Sequence, residues 1–172
     1  MKDIIKPIAV LGTICLIVTA LLAYIHSVTA PIISAAEQKT AQEARLEVMP
    51  AASIFDAVHG DLPEGVTEAF LCDNGGYVFQ LTIRGYGGDI KLMCGVLDGK
   101  LTKIKTLSHN ETSGIGSKVV SGDYGNSFIG KTESDYLSVD SVSGATISST
   151  AYKKALETAF EAYDQLTKEA TR

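Results

Sequence analysis

The segment YVFQLTIR at residues 77–84 decides the fold class, because its side chains alternate between two kinds. Its odd-numbered positions carry Tyr, Phe, Leu and Ile, whereas most of its even-numbered positions are polar. In an extended strand successive side chains point to opposite faces, so this pattern is typical of a half-buried β-strand. The following GYGG at 85–88 breaks the alternation and predicts a tight turn.

The neighbouring segments predict further strands around this one. VTEAFLC at 66–72 is a short apolar-rich run, and DIKLMCGVL at 89–97 places Ile, Leu, Cys and Val on one face. Asp98-Gly99 is a signal for a type I′ turn, after which KLTKIKTL at 100–107 should return antiparallel. These segments together predict an antiparallel sheet.

Helical patterns lie on both sides of the predicted sheet. Residues 147–169 carry an apolar stripe at helical spacing with charged residues opposite, and residues 37–49 lack Gly and Pro until Pro50. We expect a loop over 50–65 and irregular structure over 108–136. Strands followed by a terminal helix predict an α+β domain with flanking helices.

The N-terminus contains an uncharged apolar segment from Ile8 to Ile25. As a helix, its eighteen residues would be ~27 Å long, about the hydrocarbon thickness of a bilayer. We interpret residues 8–29 as a single transmembrane helix. Two alternatives remain open at this point. One is a buried core helix, and the other is a cleaved signal peptide ending near Ser34-Ala35-Ala36.

The distribution of lysines predicts the orientation of this helix. Lys2 and Lys6 precede the apolar segment, and the next basic residue is Lys39. Basic residues favour the cytoplasmic side, so residues 1–7 are predicted to be cytoplasmic. A helical stalk over 30–50 would then lead to an extracytoplasmic domain over 51–172, in a protein of the cell membrane.

Composition excludes some classes of function. The chain has 172 residues and a formal net charge of −5, which gives no basic footprint for nucleic acid. Its three cysteines do not form a disulfide framework, although Cys72 and Cys94 could pair across strands or remain as two buried thiols. No C-x-x-C motif or histidine cluster indicates a metal site.

A run of small and hydroxyl residues, SVSGATISST at 141–150, directly precedes the C-terminal helix. A helix N-terminus offers free backbone N–H groups and the positive end of the helix dipole, so it can bind phosphate. Gly144 and Ala145 would let a ligand approach the backbone closely. The alternative is a Ser/Thr helix cap with a turn glycine, which needs no ligand.

A second irregular element, ETSGIG at 111–116, places two glycines around one apolar residue, which suits packing against a flat ligand. By itself it lacks the dinucleotide-binding fingerprint and its βαβ context. GYGG at 85–88 is compatible with a simple hairpin loop or a turn lining a ligand. His109 is equally compatible with a solvated loop residue or a proton donor.

In this order, the segments GYGGDI at 85–90, HNETSGIG at 109–116 and DSVSGATISS at 140–149 resemble the FMN-binding domain family. They are similar to the G subunit of the Rnf electron-transport complex and to the C subunit of the Na⁺-translocating NADH:quinone reductase. The resemblance extends over nearly the whole chain, including the N-terminal apolar segment. It implies a flavoprotein with FMN as cofactor.

The resemblance also implies site residues. Thr146, the last residue of Ser-Gly-Ala-Thr, would carry FMN covalently through a phosphoester bond, attached by a flavin transferase that uses FAD as donor. Glu111 and Thr112 would lie near the isoalloxazine or the ribityl chain, and Lys118 would face the flavin or remain a solvated lysine. The other implied contacts are Ser143, Gly144, Ala145, Ile147, Ser148, Gly114 and Gly116.

The implied function is electron relay in an ion-translocating ferredoxin:NAD⁺ oxidoreductase, with the other proteins of the membrane complex as partners. No motif for nicotinamide or an iron–sulfur cluster is recognisable, so this chain would be a redox subunit without complete activity alone. Two alternatives stay open. One is a stand-alone extracytoplasmic flavin carrier, and the other is an anchored binding module without flavin.

Overall fold

The computed structural model describes residues 2–121 and 123–170, with backbone alone at residues 2–5 and 9. One long helix comes first, followed by five strands and three further helices. In chain order they are α1 Lys2–Val48, β1 Phe55–Val58, β2 Val66–Cys72, β3 Tyr77–Arg84, β4 Asp89–Leu97, β5 Lys100–His109, α2 Ser117–Val120, α3 Asp123–Asn126, a 3₁₀ turn at Tyr136–Ser138, and α4 Thr146–Ala170.

The five strands form one antiparallel sheet in sequence order, which confirms the predicted α+β class. Arg84 pairs with Asp89, so GYGG at 85–88 closes the hairpin between β3 and β4. Asp98 and Gly99 have φ angles of 51° and 71° between the paired Leu97 and Lys100. Positive φ at both turn residues is what a type I′ hairpin turn requires.

The prediction of a loop throughout residues 50–65 is wrong. Phe55–Val58 forms β1, which pairs antiparallel with β2 from Phe55↔Cys72 to Val58↔Ala69. Four residues are too few to show a clear period of two. This edge strand forms because the backbone N–H and C=O groups along the outer edge of β2 need hydrogen-bond partners. β5 is also longer than predicted and ends at His109, so it delivers the next segment directly to the site.

One face of the sheet packs against α4. Phe79, Leu81, Ile90 and Leu92 are almost fully buried there, together with Leu156 of the helix. Tyr124, Phe128 and Tyr152 extend this core, with ring centroids 5.1–5.8 Å apart. The alternation read from β3 and β4 therefore identified the face that supports α4.

The opposite face is buried as well, so β3 and β4 are central and not half-buried. Val78 and Met93 have no exposed surface there and pack with residues 44–52. The Thr102 hydroxyl donates a hydrogen bond to the Val48 carbonyl at 2.6 Å. Glu47 lies 2.9 Å from both Lys103 and Lys105 of β5, and these lysines hold its pKa below the ordinary value.

The chain divides into two compact units, one ending at Thr40 and the other beginning at Ala41. In the first unit the described side chains are almost all exposed, including the apolar ones from Ile8 to Ile33. The alternative of a buried core helix is therefore wrong. Within the described residues, α1 is the helix that is long and apolar enough to cross a membrane.

Cys72 and Cys94 are both buried free thiols. Cys72 packs on the face covered by residues 44–52, whereas Cys94 packs on the face covered by α4. Because the sheet separates the two sulfurs, a disulfide between them cannot form without rebuilding the strands. Burial raises the pKa of Cys72 to about 11 and that of Cys94 to about 12.

Candidate functional site

A cavity of about 640 Å³ lies where three separate segments of the chain meet. This volume falls within the range of about 300–1,000 Å³ that is typical of small-molecule sites. The first segment is the β3–β4 hairpin, the second follows β5, and the third is the start of α4. The lining residues are Tyr86, Glu111, Thr112, Ile115, Gly116, Gly144, Ala145, Thr146, Ile147 and Ser148.

Glu111 connects all three segments through its carboxylate. Its Oε1 accepts a hydrogen bond from the Tyr86 backbone N–H at 2.9 Å. Its Oε2 accepts one from the Ser148 hydroxyl at 2.9 Å and a longer one from the Gly87 N–H at 3.4 Å. The side chain is buried, so these donors replace the hydrogen bonds that water would give to the same oxygens at the surface. Glu111 therefore fixes the β3–β4 hairpin to the first turn of α4.

Two glycines make room for this carboxylate. A Cβ built on Gly85 or on Gly116 would collide with a carboxylate oxygen of Glu111. Gly85 lies in the hairpin, where its N–H donates to the Gly88 carbonyl at 2.8 Å, and Gly116 directly precedes α2. One glycine in each of two sequence motifs, Gly85 and Gly116, is thus explained by close contact with the same buried acid.

The backbone turns sharply just before α4. Gly144 has a φ of +78°, a conformation that residues with a Cβ rarely adopt. The Ala145 N–H donates to the Val142 carbonyl at 2.9 Å, and the Val142 N–H donates to the Ser149 hydroxyl at 3.0 Å. The turn therefore ends with Thr146 as the first residue of a 25-residue helix.

The hydroxyl groups at the start of α4 differ in exposure and hydrogen bonding. Thr146 is exposed at the cavity, whereas Ser148 and Ser149 are buried, at 2% and 0% exposure. The Ser148 hydroxyl donates to Glu111 and the Ser149 hydroxyl accepts from Val142. Of these three hydroxyl groups, only that of Thr146 is open to a reactant.

The walls of the cavity combine apolar surface with polar backbone. Tyr86, Ile115 and Ile147 are large hydrophobic residues that remain between 52% and 68% exposed around it. A helix N-terminus adds unpaired N–H groups and a partial positive charge at Thr146. This arrangement suits a ligand that places a flat apolar ring system in the cavity and a phosphate at the edge formed by Thr146.

Most of the site residues expected from the sequence line this cavity. Three lie outside its lining: Ser143, which is exposed in the turn, Gly114, whose N–H donates to the Ser117 hydroxyl at 2.9 Å, and Lys118, which is exposed on α2. His109 is exposed, and its Nδ1 accepts a hydrogen bond from the Glu111 N–H at 3.3 Å.

Tyr86 and Ile115 line the cavity but were absent from the expected contacts. Each of them lies between two glycines in one of the sequence motifs. A large apolar residue flanked by glycines was the signal that could have identified them as ligand contacts. The resemblance also implied a place for Glu111 beside the flavin. In the structure both of its carboxylate oxygens are engaged by protein donors.

Residues 85–161 match the FMN-binding domain family. The matched range begins at the β3–β4 hairpin and ends within α4, so it contains every residue that lines the cavity. The chain carries an FMN-binding domain. The resemblance inferred from the three motifs is therefore confirmed, and the cavity is the candidate flavin site of this domain.

Several relatives match the chain over most of its length. The G subunit of the Na⁺-translocating ferredoxin:NAD⁺ oxidoreductase complex of Acetobacterium woodii is 28% identical over 95% of both chains. The G subunit of an ion-translocating oxidoreductase complex of Methanosarcina acetivorans is 28% identical over 93% of this chain and 94% of the relative. The proton-translocating counterpart of Clostridium ljungdahlii is 27% identical over 86% and 84%, respectively.

The first two alignments extend beyond the FMN-binding domain to nearly the whole chain, so they reach into the N-terminal helix. The chain is thus a relative of the G subunits of ion-translocating oxidoreductase complexes. The apolar helix and this relationship together indicate a membrane-anchored protein.

Proposed function

We propose that this chain is the flavoprotein subunit of an ion-translocating ferredoxin:NAD⁺ oxidoreductase, and that it carries FMN covalently on Thr146. The observation that carries the proposal is the cavity lined entirely by residues of the FMN-binding domain, with an exposed Thr146 on its wall. Relatives that are similar over most of the chain are G subunits of ion-translocating oxidoreductase complexes, and two of these complexes are ferredoxin:NAD⁺ oxidoreductases.

The geometry at the start of α4 supports Thr146 as the attachment residue. A phosphoester bond needs a hydroxyl that both the flavin phosphate and a transferase can reach. Thr146 is exposed, while Ser148 and Ser149 are buried and hydrogen-bonded. A threonine hydroxyl is a weak nucleophile without an adjacent base, so attachment requires a separate flavin transferase, with FAD as donor.

Bound FMN would supply reversible electron transfer, and the chain's own residues would position it. Gly144, Ala145 and Gly116 let the backbone approach the ligand, while Tyr86 and Ile115 provide apolar contacts. The N-terminus of α4 would stabilise the negative charge of the phosphodiester by about 0.3–1 kcal/mol. Glu111 holds the β3–β4 hairpin and the first turn of α4 in place on either side of the cavity.

The proposed arrangement places residues 8–29 across the cell membrane, with residues 1–7 in the cytoplasm and the FMN-binding domain outside. The lysines at positions 2 and 6 support this orientation. A covalent bond would keep the flavin from being lost by dissociation outside the cell. Electrons would enter and leave through the other proteins of the complex, so the chain acts as a relay.

A denaturing gel tests the covalent bond. The full chain, co-expressed with a flavin transferase, should give a band that fluoresces under ultraviolet light and a mass increased by one FMN phosphoester. Thr146→Ala should abolish both signals, whereas Thr146→Ser and the matched control Ser143→Ala should keep them. A dark wild-type band contradicts covalent attachment, and an adduct on Ser148 or Ser149 contradicts the assignment to Thr146.

Purification from the native host tests the partners. The labelled chain should co-purify in mild detergent with other integral-membrane proteins and with ferredoxin:NAD⁺ oxidoreductase activity. Recovery of a labelled chain alone, active toward an external acceptor, would instead support a stand-alone flavin carrier. The variants Ile4→Cys and Gly60→Cys, treated with an impermeant thiol reagent, test the orientation, since only the cysteine at position 60 should react in intact cells.

A further inference from the structure

A second cavity, of about 420 Å³, lies on the other side of Thr146. It shares Thr146 and Ile147 with the first cavity, so these two residues form a common wall. Its remaining lining residues are Ile83, Arg84, Thr150, Ala151 and Lys154. None of the sequence motifs that indicate the flavin site contains Arg84 or Lys154.

The two cavities differ in charge. Among the described residues that line the first cavity, the acidic one is Glu111. Its carboxylate oxygens accept hydrogen bonds from protein donors. The second is lined by Arg84 and Lys154, and its lining within the described residues includes no acid.

The two cations come from different elements. Lys154 lies two turns after Thr146 on α4, so both residues and Thr150 follow one stripe of the helix surface. Arg84 is the last residue of β3 and approaches from the sheet. Its Nη1 lies 3.3 Å from an oxygen of Asp89, but both side chains are more than half exposed. Such a pair is weak and leaves other guanidinium N–H groups for a ligand.

We propose that Arg84 and Lys154 form the phosphate subsite of the flavin site, so that the phosphate attached to Thr146 faces the second cavity while the isoalloxazine occupies the first. This inference rests on the proposed attachment at Thr146. A phosphate bonded to the Thr146 hydroxyl must lie directly beside Thr146, which lines both cavities. It can therefore face either the first cavity or the cationic second one. Charge complementarity then selects the cationic side.

The subsite matters most while the bond is being made. The Thr146 oxygen bonds to the phosphorus next to the ribityl chain of FAD, the phosphoanhydride bond breaks, and AMP leaves. The hydroxyl proton passes to a base of the transferase, and no electrons are exchanged. The pyrophosphate of FAD carries two negative charges and the diester product carries one. Arg84 and Lys154 would therefore bind the two charges of the FAD pyrophosphate before the reaction. Afterwards they would contact the single charge of the attached phosphodiester.

The experiment measures the initial rate of flavin attachment to the full-length apoprotein in detergent, with purified transferase and increasing FAD. Arg84→Gln and Lys154→Gln should each lower the rate at limiting FAD about three- to tenfold, and the double variant more. Lys168→Gln is the matched control, since it removes the same charge near the far end of the same helix. It should leave the rate unchanged.

A second readout reports on the phosphate itself. The ³¹P resonance of the attached phosphodiester should shift in labelled Lys154→Gln and Arg84→Gln protein but not in Lys168→Gln. Equal attachment rates and identical ³¹P resonances in all variants would overturn the subsite while leaving Thr146 labelled. A slower rate with an unchanged resonance would also overturn it, because the cations would then contact only the transferase. An unlabelled wild-type chain would instead contradict the proposed function.

Discussion

The hydroxyl of Ser148 donates a 2.9 Å hydrogen bond to Oε2 of Glu111, across 37 residues of sequence and between two buried side chains. Ser148 lies in the first turn of α4, two residues after Thr146, so this bond fixes the beginning of the helix to the segment that follows β5. The same carboxylate holds the β3–β4 hairpin through the Tyr86 N–H.

The bond predicts a measurable cost for Ser148→Ala. Removing the hydroxyl leaves a buried carboxylate oxygen with a weaker set of donors, and this should lower the free energy of unfolding by about 1–3 kcal/mol. Chemical denaturation of the full chain in detergent, followed by tyrosine fluorescence, measures it. Ser143→Ala, at an exposed position, is the control and should change stability by less than about 0.5 kcal/mol. Equal stability of the two variants would contradict the role of the bond.

Gly85→Ala should destabilise the protein because the new methyl group would occupy the space of the Glu111 carboxylate. Overpacking of this kind costs about 1–3 kcal/mol, and Glu111 would also lose its hydrogen bond from Tyr86. Gly60→Ala is the matched control, since nothing lies within 4 Å of a Cβ at that position. Thermal unfolding of both variants should show a lower Tm for Gly85→Ala alone.

Cys94 should resist alkylation in the folded protein. Burial raises the pKa of its thiol to about 12, so little thiolate exists near pH 8 and the sulfur is inaccessible. Iodoacetamide followed by peptide mass spectrometry should label Cys94 only after unfolding. Because the folded pKa lies above the unfolded value, the stabilisation is complete below the unfolded pKa and is lost as the pH rises toward 12. Rapid labelling of native Cys94 at pH 8 would contradict its burial.

Glu47→Gln should lower stability at neutral pH by at most about 1 kcal/mol, because its partners Lys103 and Lys105 are more than a third exposed. The lysines lower the pKa of Glu47 from its ordinary value of 4.5. A lowered folded pKa means that the stabilisation is present above the unfolded pKa and is lost as the pH falls through the folded one. The difference between wild type and variant should therefore vanish in acid.

Denaturation curves at several pH values test this dependence. Glu64→Gln, at an exposed position before β2, is the control for loss of an acidic side chain and should change stability by less than about 0.5 kcal/mol at neutral pH. A constant difference between Glu47→Gln and wild type at all pH values would mean that packing, and not the ion pairs, causes the effect.

The sheet could be predicted because its signals are local. Alternation in β3 and β4, the Asp98-Gly99 turn and the apolar stripe of α4 are each contained within one element. β1 could not be predicted in the same way, since a four-residue edge strand depends on the partner strand that it joins. Burial of Val78 on the second face was also missed, because residues 44–52 that cover it are distant in sequence.

The N-terminal apolar helix, the antiparallel sheet with its terminal helix, and the three motifs typical of an FMN-binding domain all follow from the order of the amino acids. Local periodicity is sufficient for the helix and the sheet, whereas the motifs were identified by their resemblance to a known family. Three other relationships depend on how the chain packs. Glu111 holds the motifs together, Cys72 and Cys94 lie on opposite faces of the sheet, and Arg84 and Lys154 line one cavity with Thr146. Each of these relationships joins residues that are far apart in sequence, and no local pattern predicts it because it depends on how the strands and helices pack around the sheet.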